Sequence, residues 1–234
     1  MKGKLYLIPS PLGENDPKEV IPASVLEHIQ SLHHVVAEEI RTVRRYLSKA
    51  GLKGKIDALT FYELNEHTPV EAVEALLKPL LAGENVAVIS EAGLPAVADP
   101  GADLVRLAQD HDIEVIPMVG PSSLMLALMG SGLNGQRFAF QGYLPAKKED
   151  RRKALLDLEK ESLKRRQTQI FIETPYRNDA LFEDLLSCLH PKTRLCLAAD
   201  LTLPQAYLKT RTVAAWKKEK PVLGKRPCVF LFLA

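Results

Sequence analysis

Apolar runs alternate with amphipathic stretches along most of the chain, and this pattern predicts strands alternating with helices. Short β-branched runs without polar alternation, such as 86–89, are typical of parallel strands that are buried on both faces. Apolar positions at three- and four-residue spacing, as in 22–32, predict helices that cover such a sheet. The order of these elements indicates an α/β fold.

The same pattern predicts strands and helices in both halves of the chain. Predicted strands span 5–8, 33–37, 57–63, 86–89, 113–118, 138–144, 169–172, 194–199, 207–212 and 229–233. Predicted helices include 22–32, 41–50, 70–81, 102–111, 124–129 and 178–189. The short neighbouring strands near the end favour partly antiparallel pairing. We therefore predict two α/β domains, residues 1–119 with a mostly parallel sheet and residues 120–234 with a mixed sheet.

The central feature of the first half is the segment NVAVISEAGLPAVADPG, residues 85–101. Its strand breaks into a loop punctuated by Gly93 and Pro95, and Asp99 and Pro100 are expected at the N-cap and first position of the next helix. The predicted strands 5–8 and 113–118 also run into proline-containing loops. Loops at the carboxyl ends of strands line the ligand crevice of open α/β sheets, so we predict a ligand site here. An ordinary strand-to-helix connection is the alternative.

Two carboxylates and an arginine follow the predicted strand 33–37, namely Glu38, Glu39 and Arg41. Arg41 could hold one of these carboxylates ionised for use as a general base. Glu66 lies on a predicted loop, where a polar side chain can reach a site. The alternative for Glu39 is a structural role, because acidic residues favour the N-terminus of a helix.

Charge divides the chain more clearly than the net charge of +2 suggests. Residues 1–119 contain 11 Lys and Arg against 18 Asp and Glu, a balance of −7, and residues 120–234 contain 20 against 11, a balance of +9. A segment from 147 to 166 holds nine basic and five acidic residues. It would suit a phosphate backbone, and a solvated helix would explain it equally well.

Other common functional motifs are missing from the sequence. Neither GxGxxG nor GxxxxGK[ST] occurs, so the usual phosphate-binding loops are not expected. Cys188, Cys196 and Cys228 share no CxxC spacing, and the histidines form no HExxH, so we predict no structural metal and expect reduced thiols. No apolar segment reaches the length of a membrane span or a secretory signal, and we therefore expect a cytoplasmic protein without a membrane partner.

Eight ordered segments of this chain resemble those of a known family. They are LYLIPSPLG, VVAEEIR, ELNEH, AVISEAGLPAVADPG, VIPMVGPSS, SGLNGQRFAFQGYLPAKKEDRRKAL, FIETPYR and LAADLT. Together they are similar to the tetrapyrrole methylases, which use S-adenosyl-L-methionine. Within that family, the resemblance is greatest to the branch that methylates a cytidine ribose 2′-hydroxyl in small-subunit ribosomal RNA.

The resemblance implies a fold, a cofactor and a set of site residues. It implies a homodimer of two-domain α/β chains, each with S-adenosyl-L-methionine in a cleft between its domains, and ribosomal RNA or the small ribosomal subunit as partner. The implied cofactor residues are Leu12, Gly93, Leu94, Pro95, Val97, Ser123, Leu124, Ile172, Ala198 and Cys228. The implied catalytic candidates are Glu39, Arg41, Glu66 and Glu91.

Some motifs depart from the pattern of that branch. Where the branch reads SDAGTP, this chain has SEAGLP at 90–95, and where the branch reads EDTR, this chain has Glu39-Ile40-Arg41. These departures keep two other functions open. One is methylation of a tetrapyrrole or another small anionic molecule, and the other is a ribosome-binding module without catalysis.

Overall fold

The computed structural model describes residues 1–65 and 67–234, which divide into two compact units, residues 1–122 and 123–234. Each unit contains its own five-stranded sheet. The boundary predicted after residue 119 lies in the loop just before the division between the units.

The first unit contains five strands and six helices in the part that is described. They are β1 (Leu5–Ile8), α1 (Pro17–Val20), α2 (Ala23–Ile29), β2 (His34–Ala37), α3 (Ile40–Leu47), β3 (Thr60–Glu63), α4 (Val70–Ala75), α5 (Leu77–Leu81), β4 (Val86–Ile89), α6 (Gly101–Asp110) and β5 (Val115–Pro117). A π-helical turn, Ser48–Leu52, and a 3-10 turn, Ile56–Ala58, follow α3.

The first sheet is parallel throughout, with the strand order β3-β2-β4-β1-β5. Every residue of β4 is buried, because its side chains alternate between two hydrophobic clusters. Val86 and Val88 pack into one cluster, and Ala87 and Ile89 pack into the other. The prediction of a parallel strand covered on both faces is confirmed. The order also makes β4, β1 and β5 neighbours, so their carboxyl ends lie side by side.

The second unit contains five strands and four helices. They are α7 (Ser123–Ser131), β6 (Phe138–Tyr143), α8 (Lys148–Arg165), β7 (Thr168–Ile172), α9 (Asn178–Cys188), β8 (Arg194–Ala199), β9 (Tyr207–Thr212), α10 (Val213–Lys218) and β10 (Cys228–Leu233). The strand order is β6-β7-β10-β8-β9, in which only β6 and β7 pair in parallel. The predicted mixed sheet is confirmed.

Several elements depart from the predicted bounds for local reasons. The predicted helix 70–81 is divided into α4 and α5, since the ring of Pro79 would clash with the carbonyl of Ala75, where α4 ends. In the predicted helix 41–50, the α-helix ends at Leu47 and a π-helical turn, Ser48–Leu52, follows it. Gly51 in this turn has φ 109°, a conformation that favours glycine. Helices α1 and α10 were not predicted. None of the described helices combines the length and apolar content that a membrane span requires.

Candidate functional site

The loops that follow β1 and β4 are joined by hydrogen bonds. The backbone N–H of Ser10 donates to Gly93 O at 2.9 Å, and the backbone N–H of Gly93 donates to Ser10 O at 3.1 Å. The Ser10 hydroxyl also donates to Ser90 O at 3.0 Å, and the Ser90 hydroxyl donates to Gly93 O at 3.3 Å. Both serines are buried. Their small hydroxyl side chains therefore fix the path of two loops whose backbone polar groups would otherwise lack partners.

The loop after β5 meets the other two at Gly120 and Gly93, where an added side chain would be crowded. A Cβ on Gly120 would lie 2.2 Å from Pro9 Cβ, and a Cβ on Gly93 would lie 3.1 Å from Leu12 Cδ2 and 3.4 Å from Pro121 O. Gly93 also has φ +80°, which strains any other L residue. The three proline-containing loops predicted from the sequence thus meet at the carboxyl edge of the first sheet.

The central loop holds a strained backbone. Ala96 and Ala98 have φ values of 65° and 53°, in the left-handed region that alanine rarely adopts. Asp99 stabilises this conformation, since its Oδ1 accepts from Ala96 N at 3.1 Å and Gly101 N at 2.8 Å. Such backbone strain is concentrated at ligand-binding and active sites.

Asp99 was predicted as the N-cap of the following helix, and this prediction is wrong by one position. Helix α6 begins at Gly101, so Pro100 occupies the N-cap, and no side chain caps the helix from that position. Asp99 lies one residue earlier because its carboxylate also holds the loop at Ala96. It still accepts from the first helical N–H, so one free donor of the helix is satisfied.

Left-handed residues other than glycine also occur in the second unit, in the loop after β8. Asp200 has φ 49° and Thr202 has φ 74°. The remaining two in the described chain, Asp112 and Arg166, follow helices α6 and α8, where a left-handed residue commonly ends a helix. Helix termination therefore explains two of the six, and the other four lie in the loops after β4 and β8.

The cofactor residues predicted for the first unit lie on the converging loops. Gly93 and Pro95 are buried, Leu12 and Leu94 are half-buried, and Val97 is 46% exposed. An apolar side chain exposed on a strained loop suits contact with a ligand that has an apolar part.

The cofactor residues predicted for the second unit separate onto two faces of its sheet. Leu124, Ile172 and Ala198 belong to one hydrophobic cluster, and Ser123 begins the same helix as Leu124. Cys228 belongs to the cluster on the opposite face, so its side chain does not point toward the other three. Burial raises the pKa of the Cys228 thiol to about 12. Its register partner Ala199 lies on the same face, so only backbone groups of Cys228 can face a ligand beside Ala198.

The structure describes three of the four catalytic candidates, Glu39, Arg41 and Glu91. Glu39 Oε1 accepts from the backbone N–H of Arg41 at 2.9 Å and caps helix α3, which is the structural role left open above. The Arg41 side chain lies within ion-pair distance of none of the described carboxylates. Glu91 is exposed at the carboxyl end of β4. Glu66 lies outside the described residues.

A cavity of about 150 Å³ opens between the loop after β1 and helix α3. Glu91 and Leu12 line it, together with Glu14, Arg45 and Lys49. Lys49 donates to Glu14 at 2.8 Å, and this hydrogen bond lowers the pKa of Glu14. Arg45 and Lys49 were not among the predicted site residues, although their four-residue spacing puts them on one face of α3 and the π-helical turn that continues it.

A larger cavity, about 440 Å³, lies at the opposite edge of the first sheet. His34 and Glu84 lie beside it and form an ion pair. Ligands of open α/β sheets bind outside the carboxyl ends of the strands, so the smaller cavity is the better functional candidate. Within residues 1–65 and 67–234, no group of three or more His, Cys, Asp or Glu side chains could hold a metal ion.

The basic segment 147–166 coincides with α8 and its ends, and most of its cationic side chains are exposed. Arg151 is the exception, with an exposed fraction of 5%. Its Nε and Nη2 donate to Asp184 Oδ2 at 2.9 and 2.6 Å, and its Nη1 donates to Ala146 O at 2.9 Å. Arg151 therefore connects α8 to α9 and is not part of the exposed basic surface.

Solved methyltransferase structures share this two-sheet fold. The methyltransferase CobJ aligns with a TM-score of 0.65 and 17% identity, over 99% of this chain and 94% of that one. Uroporphyrin-III C-methyltransferase from Thermus thermophilus, complexed with S-adenosylhomocysteine, aligns with a TM-score of 0.59 and 17% identity, over 99% and 97% of the two chains. The fold is therefore that of these methyltransferases.

Sequence comparison identifies the family. The family model of tetrapyrrole (corrin/porphyrin) methylases matches residues 4–215. Ribosomal RNA small subunit methyltransferase I of Escherichia coli O157:H7 is 33% identical over 93% of this chain and 73% of its own length. The protein of the same name from Haemophilus influenzae is 31% identical over 99% of this chain and 78% of its own length. This chain belongs to the tetrapyrrole methylase family and is a methyltransferase.

Proposed function

We propose that this enzyme transfers a methyl group from S-adenosyl-L-methionine to a ribose 2′-hydroxyl of small-subunit ribosomal RNA. The observation that carries the proposal is the 33% identity, over 93% of this chain, with a relative named ribosomal RNA small subunit methyltransferase I. Part of the family acts on tetrapyrroles, so methylation of a small tetrapyrrole is the competing function.

The loops of the first unit fit a cofactor that is held through backbone groups. Gly93 has no side chain, so Leu12 can approach its backbone closely. The strained residues Ala96 and Ala98 flank Val97, whose side chain is exposed. We propose that Leu12, Gly93, Leu94, Pro95 and Val97 hold the cofactor from this unit, and that Ser123, Leu124, Ile172, Ala198 and the backbone of Cys228 contribute from the second unit. When bound, S-adenosyl-L-methionine supplies the methyl group.

We propose Glu91 as the general base. A ribose hydroxyl is a weak nucleophile until its proton is removed, and a positioned carboxylate adds roughly 10²–10⁴-fold to the rate. Glu91 is exposed on the rim of the cavity that Leu12 also lines, whereas a carboxylate oxygen of Glu39 is engaged in capping α3. In this assignment, a carboxylate oxygen of Glu91 accepts the hydroxyl proton.

The exposed basic residues of α8 are the proposed contacts with the RNA backbone. Single-stranded RNA binding then weakens with salt, by a slope of about −0.7 in log affinity against log salt for each phosphate contacted. The exposed basic residues near the start of α8 are Lys147, Lys148, Arg152 and Lys153. Arg165 is exposed at the other end of the same helix. RNA affinity that does not change with salt would contradict this role.

The deciding experiment follows a labelled methyl group from S-adenosyl-L-methionine. Purified small ribosomal subunits, free ribosomal RNA and a porphyrin precursor are offered as parallel acceptors. We expect label in RNA that persists as a 2′-O-methylnucleoside after complete digestion. Label in the porphyrin precursor alone, or in no acceptor despite cofactor binding, would refute the proposal.

We also propose a homodimer in the cytoplasm, where ribosomal subunits are assembled. The dimer is supported by the resemblance and by Met125 and Met129, which lie one turn apart on α7 and are 40% and 79% exposed. Exposed apolar pairs of this kind mark protein interfaces when they form part of a larger patch. Sedimentation equilibrium should give twice the chain mass, and Met129→Glu should shift the protein toward monomer.

A further inference from the structure

Tyr176 presents its aromatic ring to solvent on the second unit, with 79% of the residue exposed. It belongs to the 3-10 turn Pro175–Arg177, which directly follows β7. A single exposed tyrosine is ordinary on a protein surface, so its exposure alone indicates nothing. Two further features distinguish Tyr176: the turn that carries it is held by hydrogen bonds, and Lys225 lies beside its ring.

The turn that carries Tyr176 is held on both sides. Arg177 donates through Nε and Nη2 to Glu173 Oε1 at 3.0 and 2.6 Å, and the Glu173 side chain is completely buried. The next residue, Asn178, donates from Nδ2 to Gly224 O at 3.2 Å and Arg226 O at 2.7 Å. The exposed ring therefore stands on a backbone fixed to the buried end of β7 and to the segment before β10, and ordering it for binding costs little.

A cation lies directly beside the ring. Lys225 Nζ is 4.9 Å from the centroid of the Tyr176 ring, within the range of a cation–π contact. No described carboxylate is within ion-pair distance of Lys225, whereas the neighbouring Arg226 is paired with Asp200 at 2.6 Å. The charge of Lys225 is thus available to an anion, and the high exposure of Tyr176 leaves the other face of its ring open.

The pair lies at the sheet edge that carries predicted cofactor residues. β7 ends at Ile172 and β8 ends at Ala199, and β10 runs antiparallel to both and begins at Cys228. Tyr176 and Lys225 come from the segments that extend these strands beyond that edge. A ligand on the ring would therefore lie close to the residues proposed to hold the cofactor from this unit.

We propose that Tyr176 and Lys225 form a stacking site for one unpaired nucleobase of the RNA substrate. The base would stack on the open face of the ring, and Lys225 would contact a neighbouring phosphate. Aromatic stacking with a nearby cation is how proteins hold single-stranded RNA, largely independent of sequence. The inference rests on the proposed function and adds a contact that the basic helix α8 cannot provide, because charge alone does not hold a base.

The test compares Tyr176→Ala, Tyr176→Phe and Tyr176→Trp with the wild-type protein. Phe138→Ala is the control, since Phe138 is another exposed aromatic residue of the same unit and begins β6 at the opposite edge of the sheet. We expect Y176A to weaken binding of a labelled single-stranded fragment of small-subunit ribosomal RNA by about 5- to 150-fold. KM for RNA should rise similarly, with kcat and the Kd for S-adenosyl-L-methionine unchanged. Y176F, Y176W and F138A should bind RNA like the wild-type protein.

The outcomes separate this inference from the proposed function. RNA binding by Y176A equal to that of the wild type would overturn the stacking site, even if RNA is methylated. Loss of binding to assembled subunits but not to free RNA would also overturn it, because the ring would then contact a ribosomal protein. A wild-type enzyme that binds RNA without methylating it would refute the proposed function, and the Y176A comparison would still decide the stacking site.

Discussion

Ser10 and Gly93 exchange two backbone hydrogen bonds, at 2.9 and 3.1 Å, between loops that follow neighbouring strands of the first sheet. The pair extends the contact of β1 and β4 beyond the strands themselves, into the segment where the cofactor is proposed to bind. A loop tied in this way keeps its conformation when no ligand is bound. The strain at Ala96 and Ala98 is therefore maintained by the surrounding structure.

The close approach at Gly93 predicts a defect that is specific to cofactor binding. Gly93→Ala and Gly54→Ala both introduce a Cβ at a left-handed residue, with φ +80° and +81°, and each should lower the free energy of unfolding by roughly 1 kcal/mol. A Cβ on Gly54 meets nothing within 4 Å, whereas one on Gly93 lies 3.1 Å from Leu12 Cδ2, which must shift by a few tenths of an ångström. Calorimetry should show S-adenosyl-L-methionine affinity reduced about tenfold or more in G93A alone. Equal affinities in the two variants would remove Gly93 and Leu12 from the proposed site.

The proposed base predicts different effects of two isosteric substitutions. Glu91→Gln keeps the shape of the side chain but cannot accept a proton, so kcat should fall about 10²- to 10⁴-fold with cofactor affinity unchanged. Glu39→Gln should retain activity, because an amide oxygen can still accept the capping hydrogen bond from Arg41 N. Single-turnover methyl transfer to RNA measures both. A larger loss in E39Q than in E91Q would reverse the assignment.

The buried pair of Arg151 and Asp184 predicts a large effect on stability. Removing one partner of a buried ion pair leaves the other charge without compensation, so Arg151→Ala should lower the free energy of unfolding by about 3–5 kcal/mol in urea denaturation. Arg165→Ala removes an exposed pair with Glu161 on the same helix and should cost under about 0.5 kcal/mol. Replacing both partners, Arg151→Met with Asp184→Leu, should restore most of the loss. A stable R151A variant would show that the pair contributes little.

Burial of Cys228 predicts a loss of stability in alkaline solution. Its pKa rises from 9.0 to about 12 because the thiolate is poorly solvated, so the folded state holds a proton that the unfolded state releases. Any stability linked to this group is complete below pH 9 and falls as the pH rises toward about 12, by up to about 1.4 kcal/mol per pH unit. Denaturation of wild-type protein and Cys228→Ala across this range should give a shallower slope for the variant. Identical slopes would contradict the prediction.

Strand positions could be read from the sequence where apolar residues form continuous runs. Strands β1, β4, β8 and β9 were predicted with the bounds that the structure has. The adjacency of the proline-containing loops also followed, since these loops end strands of one parallel sheet. Boundaries failed where a single residue overrides a periodic pattern, as Pro79 does between α4 and α5.

The parts of the site that could not be predicted depend on contacts between distant segments. The basic sequence around Arg151 does not indicate that this arginine will form a buried ion pair with Asp184. Likewise, Glu14 meets Arg45 and Lys49 only after the loop following β1 folds against α3. Local periodicity carries no information about such pairs, so in the sequence Arg151 looks like any of the nine cations of residues 147–166, and the cavity could not be predicted.

The position of β10 has a consequence for synthesis of the chain. This strand lies between β7 and β8 in the second sheet, although every other strand of that sheet leaves the ribosome before it. The first unit contains all the strands of its own sheet and can fold early, whereas β7 and β8 must wait for the strand that joins them. During translation, their apolar edges remain open to aggregation until Cys228–Leu233 emerges, and a ribosome that stalls before this point would release a chain that chaperones must hold.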